Sequence, residues 1–194
     1  MVKLTLIMVL IMTSFKVWSA ESTFKGLIDV RAYHVDNSNN ANSYLKGGYG
    51  KFRYDEGSGV ALGQLGLQYH LNWENNWSAT IIANAFADKG NNNIGLTESY
   101  IQYKGLPNAQ GWRVKSKIGI FYPKISIENI STAWSTPYTL TTSSLNNWVG
   151  EELRNTGANF SLEKLGKAHK SPHSFAVDIS LFQNNDTAGA MLSW

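Results

Sequence analysis

After residue 20, apolar and polar residues alternate with period two along most of the chain, the pattern of half-buried β-strands. Phe24–Val35 sets Ile28, Val30 and Ala32 against Asp29, Arg31 and Tyr33. Ala61–Trp73 sets Leu65, Leu67, Tyr69, Leu71 and Trp73 against Gln64, Gln68, His70 and Asn72. Trp77–Asp88 sets Trp77, Ala79, Ile81, Ala83 and Ala85 against Ser78, Thr80, Asn84 and Asp88. Gly95–Lys104 opposes Ile101 and Tyr103 to Glu98 and Gln102. Trp112–Tyr122 opposes Val114, Ile118 and Ile120 to Arg113, Lys115 and Lys117. Glu152–Glu163 and His173–Gln183 repeat the pattern, with Asn159, Ser161, Glu163, Asp178 and Ser180 on the polar side. Seven strands are predicted.

Their length separates two architectures. Each run is about ten residues, whereas soluble strands average about five or six and tilted bilayer-crossing strands need about nine to eleven. The connections alternate too. Glu74–Asn76, Gly105–Gln110 and Lys164–Pro172 are short or moderate, whereas Asp36–Gly59 and Pro123–Glu151 are long. Short turns on one side and long loops on the other is the arrangement of outer-membrane barrels. Lys89–Asn93 departs from it, being short on the long-loop side. Tyr69, Trp73, Trp77, Tyr103 and Trp112 fall beside the short turns, where an interfacial aromatic girdle would lie. The fold class expected is all-β: an antiparallel up-and-down transmembrane β-barrel. Ala188–Trp194 begins like an eighth strand and stops. It reads either as a short closing strand or as the start of further strands. The second reading, seven strands and a stub of an incomplete barrel, is preferred because the stub is too short to cross a bilayer.

The first twenty residues fit neither pattern. Lys3 precedes an apolar run from Leu4 to Met12, and Val17-Trp18-Ser19-Ala20 supplies small residues for cleavage, the layout of a secretory signal peptide. Residues 1–20 are therefore expected to be a signal peptide, with 21–194 forming the N-terminal part of the barrel. The formal charge of +3 loses Lys3 and Lys16 with that segment. A nearly neutral remainder argues against nucleic-acid binding, which relies on clustered Lys and Arg. The chain has 0 Cys, so disulfides do not stabilise it after export.

Four segments carry a resemblance. They are Thr97-Glu98-Ser99-Tyr100-Ile101-Gln102-Tyr103, Ser126-Ile127-Glu128-Asn129, Ser135-Thr136-Pro137-Tyr138-Thr139-Leu140 and Asn147-Trp148-Val149-Gly150-Glu151-Glu152-Leu153-Arg154. In them the sequence resembles a family of proteobacterial outer-membrane porin-like proteins, many without an assigned function. The resemblance implies a longer single barrel in the outer membrane of a Gram-negative bacterium. It brings no catalytic residues.

The side chains expected to face the lumen are Asp29, Arg31, Gln64, Gln68, Glu98, Gln102, Arg113, Lys115, Lys117 and Asp178. In a pore such groups set selectivity through local field and width; otherwise they pair with one another to fill a narrow barrel. Arg113, Lys115 and Lys117 form a basic ladder suited to anionic solutes, partly offset by Glu98 and Gln102. The long Pro123–Glu151 connection carries Trp134, Tyr138 and Trp148. A loop this long and this apolar packs on something, either as a constriction inside the lumen or as a surface lid.

Catalysis is not expected. Serines are plentiful, but there is no nucleophile-elbow motif and, among His34, His70, His169 and His173, only His34 lies at the outer rim where lipid chemistry would occur. No Cys and no paired His mark a metal site, and no cofactor is expected. The expected function is porin-like passive transport of small solutes, with outer-membrane lipid and the solutes as partners and a homotrimer as an open possibility. Two alternatives stand beside it: a structural or adhesive barrel without channel activity, and a soluble periplasmic barrel that binds lipid or sugar.

Overall fold

The computed structural model describes residues 20–36, 57–88, 91–123, 128–139, 154–166 and 172–183. Residues 1–19 of the segment expected to be a signal peptide, Trp148 and the expected Ala188–Trp194 stub lie outside the described residues. The fold is all-β, and no helix occurs among the described residues. The strands are β1 (Ala20–Val35), β2 (Gly57–Trp73), β3 (Trp77–Asp88), β4 (Asn91–Lys104), β5 (Trp112–Phe121), β6 (Asn155–Lys164) and β7 (Phe175–Phe182). They form one open antiparallel sheet in sequential order β1 to β7.

All seven expected strands form. Their lengths spread more widely than the pattern suggested, from 17 residues in β2 to 8 in β7. β1 starts at Ala20, ahead of its first apolar alternation, because Ala20 to Thr23 pair with Trp73 to His70. β4 begins at Asn91, opposite Asp88 and ahead of its expected start at Gly95.

The alternation becomes two faces through the register. One row of cross-strand partners is Leu71, Ala79, Ile101, Ile118, Ala158 and Leu181, from β2 to β7. The neighbouring row is Asn72, Ser78, Gln102, Lys117, Asn159 and Ser180. A slip of one residue in any pair would move a whole strand's apolar set to the other face.

Burial differs between the two faces. The apolar face is bare: Ile28 is 72% exposed, and Leu67, Ile101, Ile118, Phe160 and Ile179 are exposed as well. The polar face is covered, with Gln64, Thr80, Asn84, Thr97, Glu98, Asn155 and Ser161 buried. Each large apolar side chain left in water forgoes about 1.5–3 kcal/mol of burial free energy.

Two bulges modulate the alternation. Asp29 pairs with Gln64 and Val30 with Leu62, leaving Gly63 as the extra residue of β2. Ile82 pairs with Glu98 and Ala83 with Leu96, leaving Thr97 as the extra residue of β4. A bulge lets successive side chains share one side, so Thr97 and Glu98 are both buried. At the short-turn end, Asn76 takes φ 68°, a conformation Asn tolerates, and its carbonyl accepts the Lys104 N–H at 2.9 Å. Asn108 Oδ1 closes the next turn by accepting from Gln110 N and Trp112 N.

Candidate functional site

The site is the polar face and the segment docked on it. Residues 128–139, from the connection between β5 and β6, lie against β2 and β3 through the backbone of Ala133. The Ala133 N–H donates to Gln68 Oε1 at 3.0 Å. Its carbonyl accepts from Asn84 Nδ2 at 2.9 Å and Gln64 Nε2 at 3.1 Å. Gln64 Nε2 also donates to Asn84 Oδ1, and Asn84 Nδ2 to Thr97 Oγ1. Ala133 is 0% exposed, so a buried peptide group and the buried amides around it satisfy one another.

The tip of the segment is a tight turn. Ser131 N donates to Ser135 O, and Ser135 Oγ to Thr132 O. Ala133 and Trp134 take φ of 56° and 59°, a left-handed conformation costing about 1–3 kcal/mol per non-glycine residue and held only where surroundings over-determine it. Here the amides of β2 and β3 hold Ala133, and the Trp134 ring stacks on Tyr122 at 4.2 Å between centroids. Tyr122 is itself fixed, its backbone N–H donating to Glu98 Oε1 at 2.9 Å. Gly66 provides the space: a Cβ there would collide with Ala133 Cβ and stand 2.7 Å from Asn84 Oδ1.

The charged positions gather into two groups. Arg31 Nε donates to Asp29 Oδ2 at 2.7 Å, two residues away on β1. On β5 and β6, Arg113 Nε donates to Glu163 Oε2 at 2.9 Å, and Lys115 pairs with the other oxygen of the same carboxylate. Glu163 therefore serves two rungs of the basic ladder. Lys117, the third rung, places Nζ 4.3 Å from the Tyr100 ring centroid and 5.0 Å from that of Phe121, within cation–π range. Gln102 is the cross-strand partner of Lys117. Asp178 pairs with Ser161 but is exposed on β7 at the sheet edge.

Of the loop aromatics, Trp134 joins the docked tip, whereas Tyr138 is 90% exposed and takes no part in it. Sequence reasoning gave no site role to Asn84, Thr97, Glu163 or Gly66. Asn84 and Glu163 were legible as polar-face residues, but their partners follow from a bulge and from a strand pairing that no tight turn sets. Phe121, which ends β5, and Tyr122 just after it are buried. The aromatics at the short turns do stand together, with Trp77 against Tyr103 at 5.3 Å and Trp112 edge-on to Phe175 at 5.2 Å.

Comparison of the chain with protein-family models, with curated proteins and with solved structures found no match.

Proposed function

We propose that these seven strands belong to an outer-membrane β-barrel that passes small solutes across the outer membrane of a Gram-negative bacterium, as in the porin-like family its motifs resemble. One observation carries the reading. Apolar side chains are bare on one face of the sheet, while amides, hydroxyls and ion pairs are buried on the other. Lipid is the surroundings in which that arrangement is favourable, because it accepts the apolar face and demands that backbone polar groups be paired. A soluble barrel that carries lipid would be expected to cover its apolar face instead.

The polar face then lines the passage. The docked Ala133–Trp134 tip narrows it, and the cations of β5 bias it toward anions. Seven strands in an open sheet leave the outer edges of β1 and β7 unpaired among the described residues. A sealed wall in lipid therefore includes strands or copies beyond these. Reconstitution into planar bilayers tests transport: stepwise conductance is expected, and inserted protein that leaves the bilayer electrically silent would rule the pore out.

A further inference from the structure

His34 is the one histidine that the sequence places at the outer rim, and its surroundings are those of a nucleophilic centre. Its Nδ1 lies 2.7 Å from Ser58 Oγ. Its Nε2 lies 2.7 Å from Asp36 Oδ1. The Asp36 carboxylate selects the tautomer with the proton on Nε2, which leaves Nδ1 as an acceptor facing the serine hydroxyl. Nucleophile, base and orienting carboxylate thus stand in hydrogen-bonded order, the geometric signature of an activated serine.

The arrangement is built by the fold rather than by a sequence motif. His34 and Ser58 are directly opposed partners on β1 and β2. The bulge at Gly63 creates that opposition: with the register that holds up to Asp29–Gln64 continued unbroken, His34 would face Gly59, which has no side chain. A Cβ at Gly63 would come 2.5 Å from Arg31 Nε and 2.8 Å from Asp29 Oδ2, so the ion pair beside it would have to shift to admit one.

Position indicates the substrate. The next partners along these strands on the same face are Ala32 with Val60 and Val30 with Leu62, and Val30 and Val60 are exposed. The three polar residues therefore stand on the apolar face just beyond its last apolar positions, at the end of the long connections. They are open to a ligand, with side chains 67% exposed at His34 and 88% at Asp36. If the apolar face meets lipid, as proposed above, this level is that of the headgroups and ester linkages.

We propose that Ser58, His34 and Asp36 form a hydrolytic site for acyl esters of membrane lipid; the lipid assignment, though not the nucleophile, rests on the membrane reading. Ser58 Oγ attacks the ester carbonyl carbon, and its proton passes to His34 Nδ1. The tetrahedral intermediate collapses, the bond to the alcohol oxygen breaks, and His34 returns the proton to that oxygen. Solvent water then adds to the acyl carbon and gives a proton to His34. The fatty acid departs as Ser58 regains its hydrogen.

The test uses the full chain in detergent and in phosphatidylglycerol vesicles. A fluorophosphonate probe is expected to label Ser58, as located by peptide mass spectrometry, and heat-denatured protein is expected to remain unlabelled. Release of fatty acid from the vesicles and hydrolysis of p-nitrophenyl butyrate in detergent are both expected. Ser58→Ala should abolish both, and His34→Gln should lower both by about 10²–10⁴-fold, the usual contribution of a general base. An unlabelled Ser58 in protein that retains its β-sheet circular dichroism overturns the site, whatever the bilayer conductance shows. A labelled Ser58 that cleaves the soluble ester and leaves vesicles intact overturns the lipid assignment.

Discussion

Gly66 on β2 and Ala133 on the docked segment meet so closely that only one of the two positions has room for a Cβ. Gln64, Gln68 and Asn84 surround that contact and bind both backbone groups of Ala133. The contact joins residues far apart in the sequence and decides whether the polar face is open or partly filled.

Replacing the glycine should undock the segment. Gly66→Val is expected to leave the sheet intact, because valine suits a strand, while expelling Ala133 from its notch. Limited proteolysis should then cut within 128–139 several-fold faster than in the wild type. In bilayers the same variant should conduct more. Unchanged protection of the segment would show that the notch does not hold it.

Asn84 is the hub of the buried amide cluster, at 2% exposure. Asn84→Ala removes donors to Ala133 O and Thr97 Oγ1 and the acceptor for Gln64. Leaving buried groups unsatisfied costs about 1–3 kcal/mol. Urea unfolding of the folded protein in detergent should show a loss of that size. A change below half a kcal/mol, in the approximate terms of these magnitudes, would mean that water replaces the amide and the cluster is wet.

Glu163 holds Arg113 and Lys115 together on the polar face. Glu163→Gln keeps an acceptor for Arg113 but removes one negative charge from a group of cations. If this face lines a passage, the reversal potential in a salt gradient should move toward anion selectivity. Lys117→Gln should move it the other way. A pore whose reversal potential ignores both substitutions would not be lined by this face.

The apolar face makes the sharpest contrast between lipid and water. Ile101 is 51% exposed in the row that crosses β2 to β7. In a bilayer midplane an arginine on the lipid face costs about 2–4 kcal/mol, falling toward the interfaces. Exposed to water, the same change would be near neutral. Unfolding of Ile101→Arg from vesicles therefore discriminates the two directly, and an unaltered unfolding free energy would defeat the membrane reading.

Much of the fold was legible in the period-two pattern. Ile28, Leu67, Ile101, Ile118, Phe160 and Ile179 could be assigned to one face and Gln64, Glu98, Lys117 and Ser161 to the other, because side-chain direction alternates strictly in an extended chain. Ile82 is an exception, an apolar residue buried on the polar face between its partners Gln68 and Glu98. Thr97 is another, since its bulge cancels the alternation that would have pointed it outward. The ion partner of Arg113 and Lys115 was not legible either. It depends on how β6 registers against β5, and a long connection fixes no register.

The sequence by itself determined that the chain is β, where its strands fall and which residues share a face. These properties follow from local backbone geometry repeated along each strand. Only the tertiary structure decided that Ala133 and Trp134 dock on the polar face and that His34 meets Ser58. Those outcomes depend on bulges, on pairing across long connections and on free space at Gly66. They arise between residues distant in sequence, and alternation within a strand carries no information about them.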